Sequence, residues 1–169
     1  MIGSGATGSV FASYLRLGGA GVWLVDPYKA HLDAAVERGM LFHRPDGDTL
    51  VTGFSAAPTA DTIGTMDVVI ILVKTTMTEL AVKGALPAIG ENTVVMSLQN
   101  GLGNVEKIAQ FVPSERIMYG SGNIGTELPA PDESPEHRCG IRGAHTVRTR
   151  VRHSHGRAAE YAPQLFRQL

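Results

Sequence analysis

Apolar and polar positions along this chain follow two rhythms, and their order predicts an α/β protein. After Gly8, the residues Val10, Phe11, Tyr14, Leu15 and Leu17 recur on one broad face at helical spacing, and Gly18, Gly19 and Gly21 end that helix. Residues 22–25 are an unbroken apolar run, the pattern of a strand buried on both faces of a parallel sheet. Asp26-Pro27 closes the run, and a helix is predicted over about residues 28–38, stopped by Gly39. Residues 40–55 read as a hairpin, with Leu41-Phe42 set against Leu50-Val51 through Pro45-Asp46-Gly47-Asp48. The strongest strand signal covers residues 68–73. A helical pattern follows over 77–88, another buried strand over 93–98, a helix over about 104–111 and a last strand over 116–120. Strands alternating with helices imply right-handed crossovers and a doubly wound parallel sheet.

Both rhythms stop near Leu128. Pro129, Pro131 and Pro135 interrupt the chain, large apolar residues become scarce, and neither period persists. The expected organisation is therefore a domain over residues 1–128 and a weakly structured Arg/His-rich tail over 129–169. Charge divides the same way. Residues 1–131 hold 8 basic and 12 acidic residues, whereas 132–169 hold 7 basic, all arginine, and 4 acidic. The net charge of −1 speaks against a general nucleic-acid or membrane-surface role. The tail has only Tyr161 and Phe166 as aromatics and no groove-reading motif, so an RNA- or DNA-binding function finds little support. No stretch approaches the roughly 20 apolar residues of a membrane span, and no apolar targeting segment opens the chain. A single cysteine, Cys139, excludes an internal disulfide and fits a reducing compartment. The expected location is the cytoplasm.

The chemistry begins at Gly3-Ser4-Gly5-Ala6-Thr7-Gly8. Three glycines at this spacing let a strand turn sharply into a helix, let a pyrophosphate approach the backbone, and let helix and strand pack closely. The helix N-terminus offers free N–H groups and a positive dipole end to phosphates. Asp26, 23 residues after Gly3, ends the next strand, at the usual place for an acid that accepts from a ribose 2′-hydroxyl. An acid there favours NAD over NADP; a helix cap is the alternative role. Lys74 follows the strongest strand, and Asn100 follows the next buried one, both at the sheet edge where open parallel sheets bind ligands. Only Met1 and Ile2 precede the glycine loop, so the first strand is expected to be cut short, giving low stability or reliance on residues upstream. Its exposed neighbours would also allow edge pairing in a homodimer. Trp23, Met66, Met77, Met96 and Met118 read as packing residues, and His31 and His43 as surface residues. His137, His145, His153 and His155 lack carboxylate or thiolate support, so no metal site is expected.

Gly3-Ser4-Gly5-Ala6-Thr7-Gly8, Leu72-Val73-Lys74-Thr75 and Asn100-Gly101-Leu102-Gly103-Asn104 together resemble the ketopantoate reductase (2-dehydropantoate 2-reductase) family, over about residues 1–128. The resemblance implies a Rossmann-like cofactor-binding half, and reduction of a 2-keto acid, ketopantoate, to pantoate by NADPH in pantothenate biosynthesis. It implies that Gly3, Ser4, Gly5, Ala6, Thr7 and Gly8 hold the pyrophosphate. It further implies that Lys74 contacts cofactor near substrate, that Asn100 bridges the nicotinamide ribose and substrate, and that Thr126 contacts cofactor. The family's proton-donor lysine lies in a helical second domain that has no counterpart after residue 128. No catalytic residue can therefore be assigned, and weak or absent turnover is expected of these residues alone. A noncatalytic dinucleotide-binding module and a related 2-hydroxy acid dehydrogenase are the alternatives.

Overall fold

A computed structural model describes residues 1–122, 125–128, 137–141 and 149–153. The expected alternation of strands and helices is present. Helix α1 (Ala6–Leu17) leads to β1 (Trp23–Val25), α2 (Lys29–Glu37), the strands β2 (Met40–His43), β3 (Thr49–Val51) and β4 (Ser55–Ala57), and then β5 (Val68–Ile71). Helix α3 (Thr78–Ala85), strand β6 (Val94–Ser97), the short α4 (Asn104–Ile108) and strands β7 (Ile117–Gly122), β8 (Thr126–Glu127), β9 (Arg138–Ile141) and β10 (Thr149–His153) complete the described elements.

The main sheet runs β4-β1-Ile2-β5-β6-β7-β10, parallel except for β10, which lies antiparallel to β7. Ile2 is its middle rung. Its N–H donates to the Ile70 carbonyl at 2.8 Å, and its own carbonyl accepts from Leu72 N–H at 2.9 Å. On the other side Val25 N–H donates to the Met1 carbonyl, and Gly3 N–H donates to the Val25 carbonyl at 3.0 Å. The chain proceeds from this rung first toward β1 and β4, then back across to β5, β6 and β7. The glycine loop therefore leaves the sheet at its topological switch point, where two crossovers diverge and a crevice opens beyond the strand ends.

The hairpin forms as expected, with Leu41 opposite Leu50, but it belongs to a second sheet that periodicity did not reveal. Its order is β3-β2-β9-β8, with β2 and β9 parallel and β8 and β9 antiparallel. Part of this sheet falls in the stretch 129–169, expected as a weakly structured Arg/His-rich tail. Residues 138–141 and 149–153 are strands and His137 leads into the first of them; the rest of 129–169 lies outside the described residues. Strand β9 gains its ladder from β2, far away in sequence, and its cover from α1. Helix α1 is the wedge between the sheets. Val10 and Ala12 pack with Phe42, Met40 and Cys139, and Phe11 packs with Ile70, Met96 and Met118. Cys139, expected as an ordinary tail residue, is fully buried there, and burial pushes its thiol up to about 11.

Candidate functional site

The glycine loop is shaped by three different steric demands. Gly3 has φ +86°, a left-handed conformation that other residues rarely adopt, and a Cβ there would meet Val73 Cγ1 at 2.8 Å. A Cβ on Gly8 would collide with the carbonyl oxygen of Gly3, so helix and strand meet with no side chain between them. A Cβ on Gly5 would meet nothing within 4 Å. Gly5 is exposed and caps α1 without a side-chain hydrogen bond, and no acid stands in the first turn. The first helical hydrogen bond runs from Ser9 N–H to the Gly5 carbonyl at 2.8 Å. The N–H groups of Ala6, Thr7 and Gly8 thus have no acceptor within the helix. Amides without side-chain caps, beside a glycine surface open to approach, fit a diphosphate group.

Asp26 stands at the end of β1 and binds the loop itself. Ser4 N–H donates to its Oδ2 at 2.9 Å, and Tyr28 N–H donates to its Oδ1 at 2.9 Å. The carboxylate therefore ties the phosphate-side loop to the entry of α2, and it remains half-buried at the cleft margin. Lys29 does not neutralise it, because its ammonium pairs with Asp33 one turn on. Thr126 reaches the loop from the second sheet, its hydroxyl 3.0 Å from that of Thr7.

Thr7, Lys74 and Asn100 line one cleft of about 360 Å³, floored by Phe11, Leu72 and Leu98. The three come from α1, the loop after β5 and the loop after β6, and parallel pairing of those strands brings the loops side by side. Lys74 and Asn100 are both exposed, and Lys74 is the one titratable side chain among the described residues lining this cleft. Asn100 and Gln99 also border a larger concavity of about 630 Å³ on the other side, walled by the loop after β6 and by Tyr119 and Gly120.

Two residues depart from their expected places. His31, expected at the surface, is 1% exposed, and its Nδ1 lies 2.7 Å from Nε2 of His137, itself 2% exposed. His31 was misjudged because its partner lies 106 residues away. Met77 is exposed rather than packed. Gln99, Thr78 and Asn104, to which the sequence assigned no role, form a buried polar chain beneath Lys74 and Asn100. A glutamine, a threonine or an asparagine carries no burial signal of its own, so their linkage could not be read from the sequence. No group of three or more metal-ligating side chains occurs among the described residues.

A parallel sheet with an amide-lined glycine loop at its switch point and an acid closing the adjacent strand defines a Rossmann-type domain of the dinucleotide-binding class. Within that class, the chain belongs to the ketopantoate reductase family: the family described as Ketopantoate reductase PanE/ApbA matches residues 1–142. A 2-dehydropantoate 2-reductase of Halobacterium salinarum is 33% identical over 129 residues, which is 76% of this chain and 42% of that protein. A 2-dehydropantoate 2-reductase of Nostoc sp. is 30% identical over 120 residues, 71% of this chain and 37% of that protein. The chain thus spans about two fifths of the curated relatives it matches. Among solved structures, 2-dehydropantoate 2-reductase from Geobacter metallireducens superposes with a TM-score of 0.85 at 24% identity, covering 99% of this chain and 54% of that one. D-mandelate dehydrogenase with NADH and anilino(oxo)acetate gives 0.82 at 23% identity, covering 97% and 52%. These two likenesses concern the fold.

Proposed function

We propose that this chain is the nicotinamide-dinucleotide-binding part of a 2-keto acid reductase, with ketopantoate as the substrate its relatives' name supplies. The reading is carried by one observation: a loop fit for a diphosphate, Lys74 and Asn100 meet at a single cleft. The amides of residues 6–8 would hold the diphosphate. Asp26 would accept from the adenosine ribose, Asn100 would hold the nicotinamide ribose and the substrate hydroxyl, and Lys74 would attract the substrate carboxylate. Thr126 would brace the loop through Thr7. The nicotinamide, when bound, supplies the hydride. The protein's share is orientation, and a reacting ketone also needs a proton, which a positioned acid typically accelerates about 10²- to 10⁴-fold. No proton donor is assigned among the described residues, so weak turnover is expected of the isolated chain. A cytoplasmic location accords with a nicotinamide-dependent reductase.

Asp26 favours NADH over NADPH, because a 2′-phosphate would meet a carboxylate, and Lys29 nearby pairs with Asp33 instead. The same residue favours the second reading, an NADH-dependent dehydrogenase of another 2-hydroxy acid. Titration of the chain with NADH and NADPH, followed by nicotinamide emission, tests the proposal. Saturable binding, tighter for NADH, is expected. Absence of binding by either cofactor would refute it. Steady-state assays with ketopantoate and with an aryl 2-keto acid then separate the two substrates, and turnover near the enzyme median of about 10 s⁻¹ would refute the expected weakness.

A further inference from the structure

Resting on that reading, we infer that Gln99 is a positioning residue, which sets the spacing between Lys74 and Asn100 through a buried chain of side-chain hydrogen bonds. The sheet ladder between β5 and β6 ends at the pair Ile71 and Ser97. Lys74 and Asn100 both lie three residues beyond that last rung, where parallel pairing no longer fixes them. The Gln99 amide spans the gap. Its Nε2 donates to the Val73 carbonyl at 2.6 Å and to Thr78 Oγ1 at 2.9 Å, and its Oε1 accepts from Ser97 Oγ at 2.9 Å.

The donors and acceptors fix the direction of this chain. The Val73 carbonyl only accepts, so the nitrogen of Gln99 must face it. Thr78 spends its one hydroxyl proton on Asn104 Oδ1, at 2.9 Å, and can therefore only accept from Gln99. Asn104 then turns its Nδ2 toward the Gly101 and Asn100 carbonyls, at 3.3 and 3.4 Å. Thr75 closes the circuit by donating to the Asn100 carbonyl at 2.8 Å, and Lys107 holds the Thr75 carbonyl at 3.0 Å. The circuit begins at the carbonyl next to Lys74 and ends at the carbonyl of Asn100. Thr78 is fully buried, Asn104 is 4% exposed and Gln99 9%, so water cannot readily substitute for a lost partner. Gln99 borders the cleft, but its side-chain amide is already engaged by Val73, Thr78 and Ser97, so its effect, like that of Thr78 and Asn104, is on where Lys74 and Asn100 stand.

The role predicts a loss confined to the nicotinamide half of the ligand. ADP engages the glycine loop and Asp26 alone, whereas NADH also needs Asn100 and Lys74. Gln99→Met keeps length and removes every side-chain hydrogen bond; Thr78→Val is isosteric and removes the relay hydroxyl, while Thr78→Ser restores it. Isothermal titration of the full chain and each variant with ADP and NADH gives the NADH-to-ADP affinity ratio. Gln99→Met and Thr78→Val are expected to lower that ratio about tenfold, equivalent to roughly 1.4 kcal/mol, with ADP affinity retained and Thr78→Ser close to the parent. Thr78→Val carries the test should Gln99→Met fold poorly. An unchanged ratio in a folded variant, or equal loss of ADP and NADH, would overturn the positioning role while leaving the functional reading in place. If the parent chain binds neither ligand, both fall.

Discussion

At the scale of single residues, the glycine loop separates packing from binding. Gly5→Ala adds a methyl group to open space and should leave the melting temperature nearly unchanged, yet it places that methyl where a diphosphate would approach. Gly8→Ala drives a methyl into the Gly3 carbonyl and should destabilise the fold by about 1–3 kcal/mol or more. Thermal melts and NADH titrations of the two variants should therefore show opposite patterns: binding lost with the fold intact, and the fold weakened. Equal melting temperatures for both would contradict the close helix–strand approach. Asp26→Ser removes the charge that disfavours a 2′-phosphate, so the NADPH-to-NADH affinity ratio should rise; an unchanged ratio would show that Asp26 serves only to bind Ser4 and Tyr28.

At the scale of elements, the pairing of α2 with the segment entering β9 depends on two neutral imidazoles. Burial pulls His137 down to about 4, helped by His31 and Arg38. Burial likewise lowers His31, opposed by Asp26. Ser9 donates to the Ser4 carbonyl, so its oxygen is left to accept from His31 Nε2, which leaves His31 Nδ1 to accept from His137. A histidine whose folded pKa lies below its free value adds stability that is complete above about pH 6.5 and is lost as pH falls toward 4. Chemical denaturation from pH 7.5 to 4.5 should show a decline on the order of 2 kcal/mol, flattened in His137→Gln. A profile identical in parent and variant would exclude the pair as its source. This pairing also shows where sequence reading fails. Residues 68–73 and 93–98 announced buried strands because a strand inside a parallel sheet is apolar throughout, and their ends marked Lys74 and Asn100. Residues 137–141 gave no such signal: Arg138, Cys139 and Gly140 have no periodicity, and their burial comes from Leu41, Phe42 and His43 in a strand about a hundred residues earlier.

At the scale of the whole molecule, α1 is shared by two sheets, and removing one sheet should weaken the other. A chain ended at Leu128 loses β9, the strand that joins β2 to β8, and uncovers Phe42 and the flank of Val10. Its urea midpoint, followed by far-ultraviolet circular dichroism, should fall well below that of the full chain; coincident midpoints would mean that β9 contributes nothing to folding. In the main sheet the succession of β1, β5, β6 and β7 follows the alternation, since crossovers of one hand leave few arrangements, whereas the edge strands β4 and β10 do not follow from it. Nor does the second sheet, because each of its four strands is short and half of them follow residue 125. The glycine loop, Lys74 and Asn100 could be read locally, whereas the polar chain that sets their spacing exists only once both loops are folded.

The burial of Cys139 gives this molecule a built-in clock. Its sulfur is shut beneath α1 and its thiolate is scarce at neutral pH, so a thiol reagent reacts only when β9 peels away from β2. The rate of alkylation, measured across reagent concentrations, thus reports how often the β2–β9 ladder of the second sheet comes apart beneath α1.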